Sequence, residues 1–155
     1  MSTSIPAATP LKFLHQPDLG LLIIRLMLGV VGVYHGSQKL FGAWGGPGMD
    51  GFSGFLAKLN VPMPGVSAWL AALAEFGAGI LIAVGLLPRI AAIPFAITML
   101  TAFATAHHFS FDSKSGGSDY PLVLAAVAIG LIFTGPGKYS AMGAVCGAQR
   151  PQQDR

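Results

Sequence analysis

Four long apolar stretches run along the chain, separated by segments that are polar or rich in glycine and proline. The first covers about Leu19 to Leu40, and Arg25 is its sole charge before Tyr34. The second covers about Val66 to Leu87, the third about Arg89 to Phe109, and the fourth about Asp119 to Gly135. An α-helix needs roughly 20 residues to cross the hydrocarbon of a bilayer. The first three stretches meet that length, whereas the strictly apolar part of the fourth is only Leu122 to Phe133. Inside lipid the backbone must satisfy its own hydrogen bonds, so helices are the expected form. A soluble helical core would need polar faces that these segments lack. The pattern predicts an all-α protein, a four-transmembrane-helix bundle.

The segments between follow the same logic. Residues 1–18 read as a polar lead-in punctuated by Pro6, Pro10 and Pro17. No cleaved signal peptide is expected there, because the apolar run is too long and Tyr34-His35-Gly36-Ser37 is a poor cleavage site. Residues 41–65 form a glycine-rich loop in which Phe52, Phe55, Leu56 and Leu59 recur at helical spacing. This predicts a short interfacial helix lying on the membrane, ended by Pro62 and Pro64. Pro94 lies about one turn into the third span and is expected to kink it. Residues 19–140 make up the membrane domain, and 141–155 read as a flexible, dispensable tail with no apolar stripe.

Composition agrees with a membrane protein. Hydrophobic residues make up 53% of the chain and charged ones 10%, against about 25% charged in soluble domains. The net charge of +3 comes from scattered Lys and Arg without a basic cluster, so no nucleic-acid partner is expected and the partner is the lipid bilayer. The single cysteine, Cys146, excludes an internal disulfide and a Cys-x-x-Cys pair. Lys12, Arg89, Lys138, Arg150 and Arg155 fall on one side of the spans, and Lys39, Lys58 and Lys114 on the other. This excess places both termini in the cytoplasm.

Charges within the spans carry the candidate chemistry, since a charge in hydrocarbon is costly and usually paired or functional. Arg25 lies about 9 Å inside the first span and Glu75 about 13 Å inside the second, counted at helical rise. His35, Lys39, His107, His108 and Asp119 gather near the opposite edge from Arg25. Arg25, Gly29, Gly32, Gly36 and Lys39 share one helical face, and Ala68, Ala72, Glu75, Gly79 and Ile82 form a matching stripe. Small residues at such positions let helices approach closely. Thr98, Thr101, Thr105 and His108 make a polar stripe on the third span, a phase that points His108 inward and His107 away.

Several readings of this group stand side by side. Arg25 and Glu75 can be a structural pair that fixes helix register. Alternatively His35, Lys39, Glu75 and His107 can form the polar end of a quinone or other small-molecule site, with Tyr34 or Trp44 against the ring. His35, His107, Glu75 and Asp119 are suitable metal ligands, but no close ligand spacing such as His-x-x-x-His accompanies them, and no metal site is assigned. Haem or nucleotide motifs are lacking, and the turn at 42–48 contains Trp44 and Pro47 rather than a phosphate-binding Lys-Ser/Thr.

The order of motifs resembles the DoxX family of small bacterial membrane proteins. The resemblance runs through Arg25-Leu26, His35-Gly36-x-x-Lys39-Leu40-Phe41-Gly42, Gly45-Gly46-x-Gly48 and Ala74-Glu75-Phe76. It continues through Gly85-Leu86, Arg89, His107 and Gly116-Gly117-x-x-Tyr120-Pro121, and ends at Gly135-Pro136-Gly137-Lys138-Tyr139-Ser140. The family usually has Glu before Tyr-Pro, where this chain has Asp119, and the family's histidine falls on His107 rather than His108. The resemblance implies a bacterial inner-membrane protein with four helices, belonging to a redox system linked to quinones or redox-stress defence and working with other subunits or as a homo-oligomer. On this reading Glu75, His35 and His107 are the candidate catalytic residues, and Arg25, Tyr34, Lys39, Trp44, His108, Asp119 and Tyr120 are candidate ligand contacts. A non-enzymic helper, such as a permease or assembly scaffold, is the alternative. Whether the chain is itself an enzyme stays open at this point.

Overall fold

The structure, a computed structural model, describes residues 16–106 and 119–147. Most of those residues are helical, and no strand occurs among them. Helix α1 spans Pro17–Phe41, α2 Gly48–Lys58, α3 Pro64–Val84, α4 Pro88–Thr105, α5 Asp119–Thr134 and α6 Ala141–Gly147. Proline opens α1, α3 and α4, where its missing N–H is one the helix could not have bonded anyway. Pro64 therefore starts a helix rather than ending one, and the lead-in expected up to residue 18 gives Pro17 and Asp18 to α1.

Helices α1, α3 and α4 are long and apolar enough to cross a membrane, while α5 is apolar but has only 16 residues. Their outward faces carry Ile23, Met27, Val30, Leu70, Ile90, Ile97 and Phe133, all exposed in the isolated chain. Such a continuous apolar exterior belongs against lipid rather than water.

Inside, the bundle is packed on small residues. Ala91, Ala92 and Ala96 of α4 meet Ala125 and Ala128 of α5, with Phe95, Met99, Ile82, Leu28 and Leu131 filling the rest of the core. The α1–α3 contact is closer still. A Cβ added at Gly36 would lie 2.5 Å from the Phe76 backbone nitrogen, and one at Gly32 would lie 2.8 Å from the Glu75 carbonyl oxygen. All five residues of the predicted α3 stripe, from Ala68 through Glu75 to Ile82, are buried.

α2 forms where the Phe/Leu stripe predicts it and buries Phe52 and Leu56 against Ala68, while Phe55 stays exposed. α4 continues as one helix through Pro94. The segment after α5 folds back across the start of α1, where the Lys138 backbone N–H donates to Asp18 Oδ1 at 2.8 Å. α6 follows, and the Met142 N–H donates to the Gly85 carbonyl at 3.2 Å. Part of the segment read from sequence as a flexible tail is thus a short helix held against the α3–α4 turn.

Candidate functional site

Close packing of α1 on α3 sets the position of the site. Gly36 sits on the α3 backbone at Phe76, and Lys39 follows three residues later on the same face of α1. The Lys39 ammonium therefore reaches Glu75, and its Nζ donates to both carboxylate oxygens. Glu75 is 1% exposed and the Lys39 side chain 21%. Lys39 Nζ also lies 5.0 Å from the centroid of the Phe52 ring, so the ammonium is held between a carboxylate and an aromatic face.

Arg25 does not join this pair, which corrects the Arg25–Glu75 contact expected from sequence. Its guanidinium is 1% exposed and donates to the carbonyls of Pro136 and Tyr139. The reason is depth. Arg25 lies fourteen residues from Lys39, about 21 Å along the helix axis, and stands level with Gly85, whose missing side chain leaves room for it. The loop after α5 brings free carbonyls to that level, and the guanidinium satisfies them. Nε of Arg25 has no hydrogen-bond partner among the described residues.

Two cavities meet at the Lys39–Glu75 pair. The smaller, about 190 Å³, lies between α1, α4 and α5 and is bounded by His35, Lys39, Glu75, Phe95, Met99 and Tyr120. The larger, about 630 Å³, lies between α2, α3 and α4. Lys39, Glu75 and Ala102 belong to the walls of both. The His35 Nδ1–H donates to Gln38 Oε1 at 3.1 Å, and the ring stands edge-on to Tyr120 with centroids 6.1 Å apart. An ammonium, a carboxylate, an imidazole and a phenol thus surround a space otherwise lined by apolar groups.

The remaining sequence-predicted residues divide. Tyr34 and Trp44 stack on each other, with centroids 5.0 Å apart, on the exposed side of α1 rather than in either cavity. Trp44 holds a left-handed backbone with φ 48°, costly for a residue with a Cβ, and the stack on Tyr34 anchors it there. Asp119 is exposed at the start of α5. His107 and His108 lie outside the described residues. The described residues contain no group of three metal-ligating side chains. Thr98, Thr101 and Thr105 line the larger cavity, but each hydroxyl donates to a carbonyl of its own helix four residues back. Sequence reasoning missed Phe52 and Ala102. The first was legible as the apolar stripe of α2; the second is an alanine among many, and nothing in the sequence singles it out.

The DoxX family profile matches residues 20–108. A Bacillus subtilis (strain 168) protein named "Putative oxidoreductase CatD" is 27% identical over 114 residues, covering 74% of this chain and 79% of that protein. An Escherichia coli (strain K12) protein named "Inner membrane protein YphA" is 29% identical over 126 residues, covering 77% of this chain and 86% of that protein. No solved structure matches the chain significantly. With more than half of its length matched by the family profile, and with the His35–Lys39 and Glu75 motifs forming the buried pair of the bundle, this chain belongs to the DoxX family of membrane proteins.

Proposed function

We propose that this chain is a multi-pass inner-membrane component of a redox system, and that its smaller cavity binds a quinone-like carbonyl ring. The observation that carries the reading is the Lys39–Glu75 pair, buried in an apolar bundle at the wall of a cavity. A largely buried ion pair is seldom a net gain in stability over apolar packing, so its presence in a span argues for use. The donor set fits the ligand class. Lys39 and the Tyr120 hydroxyl can donate to ring carbonyls, as can His35 once its second ring nitrogen is protonated, and Glu75 or His35 can hold the proton that reduction requires. A quinone would supply the electron-accepting ring, while the chain orients it, excludes water and supplies protons. The name of the B. subtilis relative points to the same class of chemistry.

Purified protein in detergent tests this through its extracted lipids and through titration with a soluble benzoquinone. A bound quinone, with affinity reduced tenfold or more by Glu75→Gln and by His35→Ala at unchanged helical content, is the expected result. Failure of the wild type to bind any quinone overturns the reading.

A further inference from the structure

The larger cavity is not needed to hold a ring, yet it abuts the ring site. It opens sideways between α2, α3 and α4, where Leu70 and Ile97 on its walls are 66% and 59% exposed toward the lipid side of the bundle. Phe52, Phe55 and Leu56 of α2 form its third wall. The three threonines that line it have their hydroxyl protons committed to their own helix, and Ser67 donates its own to the Pro62 carbonyl. Its remaining polar end is the Lys39–Glu75 pair, which carries no net charge. The space is therefore apolar along its length and polar only where it meets the smaller cavity. An occupant with a long apolar tail and a neutral polar head matches that gradient, whereas an anionic headgroup would have to displace Glu75 from Lys39. The volumes agree. A dry cavity of about 150 Å³ admits a benzene ring, and the smaller cavity is about 190 Å³. The larger, at about 630 Å³, is of the size that holds drug-sized apolar ligands.

We infer that one molecule occupies both cavities: a neutral carbonyl-ring amphiphile, its head beside His35 and Glu75 and its alkyl or isoprenoid tail in the groove under α2, passing from one to the other at Ala102. Ala102 is the junction because it belongs to both walls and offers only a methyl group, beside the ion pair that forms the rest of the divide. The inference rests on the reading that the smaller cavity takes such a ring, and it adds that ligand choice depends on the tail. The tail enters from the lipid, so the ligand never has to cross water.

The test compares decyl-ubiquinone with its tail-less dimethoxy-methyl-benzoquinone ring, titrated against the full-length protein in one detergent. Wild type is expected to bind the decyl compound about tenfold or more tighter than the bare ring, because the buried chain adds apolar area. Thr98→Phe fills the groove from a wall that the smaller cavity does not share, and should remove that advantage while leaving the bare ring within about twofold of wild type. Thr101→Phe fills the groove from an exposed position on α4 and should act the same way, which guards against a folding defect in the first variant. If the bare ring binds and the tail adds nothing, or if both variants weaken both compounds equally, this inference fails and the ring site stands. If neither compound binds wild type, the ring site itself fails and the inference with it.

Discussion

Lys39 and Glu75 are the residues whose charges matter most, because each neutralises the other in a place where neither is tolerated alone. Breaking such a pair by removing one partner costs about 3–5 kcal/mol when both are buried. Lys39 is one-fifth exposed, so the lower end of that range applies. Glu75→Gln therefore strands Lys39, not Arg25, whose hydrogen bonds go to the Pro136 and Tyr139 carbonyls. We predict that Lys39→Met lowers the unfolding free energy by about 3 kcal/mol, and that adding Glu75→Leu restores most of it. Thermal or denaturant unfolding in micelles reads both, with ligand titration alongside. Recovered stability with ligand binding still lost assigns the pair to function; recovery of both would make it structural only. At this scale the sequence singled out the acid that the bundle buries, since Glu75 is the one carboxylate amid an apolar run. It misassigned the partner, because helical phase places Arg25 and Lys39 on the same face and says nothing of which depth on α3 each will meet.

Helix packing here is decided by absent side chains. Gly29, Gly32 and Gly36 bring the α1 backbone against Gly79, Glu75 and Phe76 of α3, and that approach sets how far Lys39 must reach. Gly77 shares α3 but faces open space, with nothing within 4 Å of an added Cβ. The two positions make a matched pair for experiment. Gly36→Ala should force the helices apart and destabilise by about 1–3 kcal/mol, with weaker ligand binding as Lys39 is drawn from Glu75. Gly77→Ala should leave the bundle unchanged or stabilise it by up to about 1 kcal/mol. Equal unfolding midpoints for the two variants would refute the close-packing account. Both stripes, on α1 and on α3, were legible from sequence, because a 3.6-residue period exposes a stripe whether or not its partner is known. α6 was not, since a seven-residue helix seated by one backbone bond to Gly85 leaves no periodic trace. The Tyr34–Trp44 stack was not legible for a related reason: from sequence either residue reads as a contact to a ligand ring, but their direction depends on a turn whose left-handed φ at Trp44 no pattern announces.

The whole molecule poses the question of how many times it crosses the bilayer. α5 has 16 residues, about 24 Å at helical rise, and is short for a typical hydrocarbon core. Connectivity argues that it crosses nonetheless. The Lys138 N–H on Asp18, and Arg25 on the Pro136 and Tyr139 carbonyls, bring the end of α5 back to the level where α1 begins. If α1, α3 and α4, each long and apolar enough to cross, make three passes, a chain that returns to its starting side needs a fourth, and we propose that α5 supplies it. Local thinning of the bilayer accommodates the deficit at a modest cost per ångström. Orientation follows from the loop charges, and the Lys39–Glu75 pair sharpens the count. Lys39 is neutralised within the bundle, which leaves Lys58 and Lys114 against Lys12, Arg89, Lys138, Arg150 and Arg155. Positively charged loops stay in the cytoplasm, and on that count we propose that α2, which walls the larger cavity, lies on the outer side. We predict that, in a Cys146→Ser background, a membrane-impermeant maleimide added to intact cells labels Ser53→Cys and spares Lys138→Cys and Ser2→Cys. Labelling of Lys138→Cys together with Ser53→Cys would show that α5 does not cross. Labelling of Lys138→Cys and Ser2→Cys without Ser53→Cys would invert the orientation and move the ring site to the cytoplasmic face.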